Sequence, residues 1–169
     1  HLFTDGQEKF QALFEDIRAA KETVHVEYYA FFNDTIGNQF LDVLIEKLHE
    51  GVEVYLIYDP WGSPGANKKF FARYVDAGGK VAPFITSRDM IRKTRLNYHL
   101  HRKIVVIDGK IGWTGGFNGG DQYLNVTEKF GYWRDTHIRL VGTAVFSLQE
   151  IFIMDWNASV KYPEERMTY

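Results

Sequence analysis

Cysteine is absent from the 169 residues. The chain therefore has no disulfide frame, no thiol nucleophile and no Cys-ligated zinc, and an empty count says nothing about redox compartment. An excess of one charge is absent too: 20 Lys and Arg stand against 22 Asp and Glu, a net charge of −2. That excludes a bulk basic field for nucleic acid and leaves only local patches, so no nucleic-acid partner is expected. No apolar run reaches the roughly 18 residues that a membrane-spanning helix needs. No charged-then-apolar segment opens the chain as a secretory signal would. An initiator Met is missing as well. His1 stands directly before a helix-start signal, and a piece of a longer protein is expected.

What is present is ordinary for a globular chain. Hydrophobic residues make up 45% and charged residues 25%, which excludes a disordered or fibrous chain. A single domain, 1–169, is expected, large enough to bury roughly two-thirds of its unfolded surface. Aromatics reach 16%, so some are expected to line a site or an interface as well as the core.

Thr4-Asp5-Gly6-Gln7 has capping-box spacing, and Phe10, Leu13, Phe14, Ile17 and Ala20 follow at helical intervals, predicting a helix to about Glu22. Alternation predicts a strand over Thr23–Phe31. Asn33-Asp34-Thr35 caps a second helix that Gly51 stops, and a strand follows over Val52–Tyr58. Residues 59–65 read as loop, 67–77 as a third helix, and 80–85 as a short strand. The basic stretch 86–97, with Arg88, Arg92, Lys93 and Arg95, is a solvated loop or a rim for anionic head groups. A strand over His101–Ile107, a hairpin turn at Asp108-Gly109 and a return over Lys110–Thr114 follow. A Gly- and Asn-rich loop leads to a last strand over 132–140 and a closing helix over 143–157. This order predicts an α/β sandwich with a mixed central sheet flanked by helices.

The chemistry concentrates in His101-Arg102-Lys103-Ile104-Val105-Val106-Ile107-Asp108. On a strand, i and i+2 share a face. His101 and Lys103 then project together, with Arg102 turned away, and Val105 and Ile107 continue their face. An imidazole can act as nucleophile or acid–base near neutral pH, and an adjacent ammonium suits an anionic reacting group such as phosphate. Gly115-Gly116-Phe117-Asn118 adds glycines whose N–H groups can approach an anion, and an amide donor. Asp135 sits on a strand expected to neighbour His101, where a carboxylate orients an imidazole. Spacing alone also allows a satisfied core histidine.

His101-x-Lys103 with Asp108, followed by Gly115-Gly116-x-Asn118, resembles the HxKxxxxD signature of the phospholipase D superfamily. Further segments resemble bacterial cardiolipin synthases: 4–6, 26–29, 51–54, 96–98, 116–121 and 130–137. The resemblance spans essentially the whole chain and implies the N-terminal catalytic half of such an enzyme. Carried over, His101 is the phosphorus nucleophile or its acid–base partner, Lys103 and Asn118 hold phosphate oxygens, and Asp135 orients His101. Asp108 belongs to the signature, although its turn position suggests a structural role. Gly116 stands where many members carry Ser. Leu100 stands where a polar residue is usual, and His99 adds a second imidazole.

The resemblance implies phosphatidyl transfer through a phosphohistidine, joining two phosphatidylglycerols into cardiolipin with release of glycerol. It implies no cofactor and no metal. The partners implied are a second HKD half or a homodimer mate and a membrane surface, with the parent protein at the bacterial cell membrane. Three other readings stay open: a phospholipase or nuclease using water as acceptor; a metal site from His99, His101, Asp135 and His137; and a non-catalytic module that folds and dimerises.

Overall fold

The structure, a computed structural model, describes residues 1–84, 100–125 and 131–168. Its centre is a seven-stranded sheet in the order β1-β7-β6-β5-β2-β3-β4. The strands are β1 (Leu2–Phe3), β2 (Thr23–Tyr28), β3 (Glu53–Tyr58), β4 (Lys80–Pro83), β5 (Lys103–Ile107), β6 (Ile111–Gly115) and β7 (His137–Val141). β2, β3 and β4 run parallel, joined through α2 (Thr35–His49) and α3 (Lys68–Asp76). β5 lies antiparallel to β2, and β6, β7 and β1 continue antiparallel. The expected mixed α/β sandwich is the observed fold.

Alternation along each strand sorts side chains between two cores. Val24, Val26, Tyr28, Val54, Leu56, Val105, Ile107 and Trp113 meet α1 (Gly6–Ala19), α2 and α3. On the other face Ile104 and Val106 pack on Val145, and Ile57 and Ala82 cluster with Phe152 and Trp156, all four from or against α4 (Ala144–Ser159). Both faces of β2 are covered, which is why His25 and Glu27 are buried beside the valines.

Several boundaries move for identifiable reasons. The N-cap of α1 is Asp5, whose carboxylate accepts from the N–H of Gln7 at 2.8 Å and of Glu8 at 3.1 Å. Thr4 takes no part, and the Gln7 amide donates to Leu124 O instead, so no capping box closes. α1 ends at Ala19, three residues short of expectation, because the Asp108 carboxylate takes the N–H groups of Lys21, Glu22 and Thr23 at 2.8–2.9 Å. Asp108 and Gly109 both have positive φ, 51° and 63°, the mirror-image hairpin turn their types favour. β2 stops at Tyr28, not Phe31; β5 begins at Lys103, not His101; β7 begins at His137, not Tyr132. The basic stretch 86–97, together with His99, lies outside the described residues.

Candidate active site

Three parallel strands end at Tyr28, Tyr58 and Pro83. Because β5 runs against β2, its first residues arrive beside the carboxyl end of β2: Lys103 pairs with Tyr28. The carboxyl edge of such a sheet is where open α/β folds place ligands. Lys103, the end of β6 at Gly115 and the start of β7 at His137 all collect there.

His101 precedes the β5 ladder and is exposed. Its ring stacks on Tyr29, centroids 4.3 Å apart and planes 22° apart. Tyr29 is itself pinned, since its carbonyl accepts from Ser63 Oγ at 3.0 Å. The entry to His101 is also held: Asp59, at the end of β3, accepts from the N–H of Leu100 at 2.9 Å and of Trp61 at 2.8 Å. Lys103 is 8% exposed, and its Nζ donates to the His101 carbonyl at 2.8 Å. Burial holds its ammonium below the usual lysine range, and the nearby Asp135 carboxylate opposes that shift. Lys103, Val105 and Ile107 share the α1–α2 face as expected, while Arg102 reaches the other face, to Asp155 of α4.

Asn118 is buried at the same edge. Its Oδ1 accepts from Ala30 N–H at 3.2 Å, and its Nδ2 donates to Tyr123 OH at 2.7 Å. One amide hydrogen remains beyond that bond. Of the two glycines expected to approach an anion, Gly115 and Gly116, the second spends its N–H on the scaffold, as Gly119 does further on. Gly116 N–H donates to Thr136 O at 2.8 Å and Gly119 N–H to Ala30 O at 2.9 Å, so both serve the scaffold. What Gly116 contributes is space: a Cβ there would collide with the Asp135 carboxylate. That carboxylate accepts from Thr136 N–H at 2.7 Å. Among the hydrogen bonds of the described residues none joins Asp135 to His101; the charge of Asp135 is felt by Lys103. Asp108 lies at the far end of β5, its carboxylate committed to the α1–β2 joint.

A second layer lies beneath Lys103. His137 is fully buried, near Trp113 and Phe117, with both ring nitrogens unpartnered among the described residues. Burial, then the charges of Lys9 and Lys103, push its pKa far down. Lys9 is likewise buried; its Nζ donates to Tyr28 OH at 2.7 Å and sits 3.6 Å from the centre of the Phe10 ring. Among the described residues no group of three His, Asp or Glu side chains is arranged to hold a metal ion. A cavity of about 910 Å³ opens between β3, β4, α4 and the C-terminal segment, and it contains none of His101, Lys103, Asn118 or Asp135. No helix among the described residues is long and apolar enough to cross a membrane.

Reasoning from the sequence missed Tyr29, Asp59, Tyr123, Glu27 and Asp155. Only the Asp59-x-Trp61-Gly62 turn carries a local signal, an Asp accepting from the N–H groups two and three residues on.

Residues 13–147 match the family described as cardiolipin synthase, PLD-like domain. A cardiolipin synthase of Listeria monocytogenes is 50% identical over 158 residues, covering 94% of this chain and 33% of that protein. The major cardiolipin synthase ClsA of Bacillus subtilis is 51% identical over 156 residues, covering 92% of this chain and 32% of its own length. The chain thus spans about a third of the length of these relatives. The phospholipase D family member Nuc of Salmonella typhimurium superposes with a TM-score of 0.72 at 16% identity, over 96% of this chain and 97% of its own. The likeness to Nuc shows the fold, and the family match over residues 13–147 shows the lineage: this chain belongs to the PLD-like domain family of cardiolipin synthases.

Proposed function

We propose that this domain carries one half of a phosphatidyl-transfer site, with His101 as the phosphorus nucleophile or its acid–base partner. The observation that carries the reading is the pairing of an exposed imidazole with a largely buried ammonium at the carboxyl edge of the sheet. A buried ammonium is a charge the fold bears at a cost, and an anion placed against it recovers the lost solvation. Asn118 supports a second phosphate contact through its remaining amide hydrogen. Asp135 fits a role in keeping Lys103 charged, which adds to the imidazole-orienting role the resemblance implies. Asp108 is read as structural.

In the transfer, an imidazole nitrogen of His101 attacks phosphorus and the bond to the glycerol head group breaks. A second, protonated imidazole gives its proton to the departing glycerol oxygen. The hydroxyl of another phosphatidylglycerol then attacks. The second imidazole takes the proton of that hydroxyl, and the phosphorus–nitrogen bond breaks to release cardiolipin and free His101. Lys103 and Asn118 stabilise the non-bridging oxygens throughout. The second imidazole is assigned to the remaining two-thirds of a full-length protein, or to a second copy of this chain.

The 50% identity to cardiolipin synthases favours transfer over hydrolysis. The test is the full-length protein with phosphatidylglycerol vesicles, with duplex DNA as the competing substrate, in the presence of a chelator. Cardiolipin and glycerol are expected, with His101→Ala at least about a hundredfold slower, the lower range for an acid–base or nucleophilic group. A variant that keeps more than that fraction, or DNA cleavage without cardiolipin, overturns the reading.

A further inference from the structure

Glu27 is a carboxyl group in the wrong place for an ionised one. It lies on β2 opposite Ile104 of β5 and Ile57 of β3, and its side chain is wholly buried under α4. Its Oε1 accepts from Arg102 Nε at 3.2 Å. The same Nε donates to Asp155 Oδ2 at 2.9 Å, and Arg102 Nη2 reaches that oxygen too. Glu27 Oε2 finds no donor among the described residues, and the two acids are brought together on one donor, the Arg102 Nε that both accept from.

Two ionised carboxylates against one guanidinium would leave a net negative charge in the interior. Burying such a charge unpaired is far more costly than giving it a proton. A proton on Oε2 removes the excess charge and turns the orphaned acceptor into a donor. Asp155 holds two of the three guanidinium contacts and is the more exposed of the two acids, so the proton belongs on Glu27.

We propose that Glu27 is protonated and donates to Asp155, and that this acid–carboxylate–guanidinium triad positions the segment carrying His101 and Lys103. The positioning half rests on the reading above, that those two residues act on phosphate. Arg102 stands between them, and neither His101 nor Arg102 is in the β5 ladder. The guanidinium ties the segment to α4 on one side of the sheet. Lys103, directed to the opposite face, ties it back through the His101 carbonyl. The imidazole is thereby held against Tyr29. The charges facing Glu27 are Arg102 from the β5 side and Asp155 from α4. His25, on the same face of β2, is bonded to Gln149 of α4, and the β3 neighbour Ile57 is uncharged. Burial, followed by the Asp155 charge, pushes Glu27 up to about 8, and Arg102 acts against that shift.

The experiment is carbon-13 NMR of the purified protein labelled at glutamate carboxyls, with proton spectra of the histidine rings and no substrate. One glutamate signal is expected to remain protonated at pH 7, to titrate near 8 and to vanish in Glu27→Gln. In Asp155→Asn the same signal should be ionised at pH 7, because the opposing charge is gone. The upfield shift that Tyr29 imposes on His101 should survive Glu27→Gln, whose amide donates and accepts as the acid does, and be lost in Arg102→Ala. All glutamates ionised at pH 7 would refute the proton. An unchanged His101 signal in Arg102→Ala would refute the positioning role. If Arg102→Ala does not fold, Arg102→Lys, which keeps the charge but loses the fork, is read instead: loss of the His101 shift supports the positioning role and an unchanged shift refutes it. None of these arms needs turnover. A failure of phosphatidyl transfer with an intact triad therefore counts against the function alone.

Discussion

Two buried ionisable groups near the site respond to pH in opposite directions. His137 refuses a proton that an unfolded imidazole accepts near 6.5, so the stability it contributes is present above that value and lost as pH falls below it. Glu27 keeps a proton that an unfolded glutamate loses near 4.5, so its contribution is present below that value and lost as pH rises to about 8. Each slope amounts to about 1.4 kcal/mol per pH unit for one full proton. The expected outcome is that Glu27→Gln gains urea-midpoint stability relative to wild type as pH is raised from about 5 to 8. His137→Leu should lose less stability than wild type between pH 6.5 and 5. Parallel wild-type and variant curves would contradict either assignment. At Lys103 the charge itself matters: Lys103→Met should abolish transfer and Lys103→Arg restore it only in part, since a fork cannot occupy the place of a point charge. Full rate in Lys103→Met would remove the direct phosphate contact.

At the scale of elements, Asp108 joins three pieces of structure. It closes the β5–β6 hairpin with positive φ, ends α1 by taking three N–H groups, and so starts β2 in register with β5. Asp108→Ala is expected to cost about 1–3 kcal/mol through unsatisfied donors. Its kcat under conditions where the variant is fully folded should stay within a few-fold of wild type. A folded variant with a rate loss as large as that of His101→Ala would make Asp108 catalytic after all. The strand starts at Lys103 and not at His101 for a related reason. The chain before it is held by side chains, Asp59 on Leu100 and Asp155 on Arg102, and that leaves the imidazole outside the ladder and accessible.

For the whole molecule, the count of imidazoles decides. Among the described residues His101 is the exposed histidine at the sheet's carboxyl edge, while His137 is sealed beneath it. In-line displacement needs a nucleophile and a proton donor on opposite sides of phosphorus, so a lone copy is expected to be inactive. Activity per chain measured along a dilution series, beside sedimentation, should fall as the protein becomes monomeric. Constant activity in fully monomeric protein would end the two-motif account.

Local pattern was enough to read the element order, the mixed sandwich, the Asp108-Gly109 hairpin and the shared face of Lys103, Val105 and Ile107. Each depends on side-chain alternation, helical spacing or turn chemistry within a few residues, and such terms act before the chain is folded. The signature His101, Lys103, Asp108, Gly115, Gly116 and Asn118 is likewise contiguous enough to be seen in a string. Tertiary structure alone decided the rest. Tyr29 meets His101, Asp135 fills the space a Gly116 side chain would take, and Asp108 satisfies a joint more than eighty residues earlier in the chain. The proton proposed on Glu27 follows from Asp155, contributed by a helix far along the chain, and from burial that only the closed sandwich provides. Desolvation and the meeting of distant charges have no local signal, because neither exists until β2, β5 and α4 are packed together.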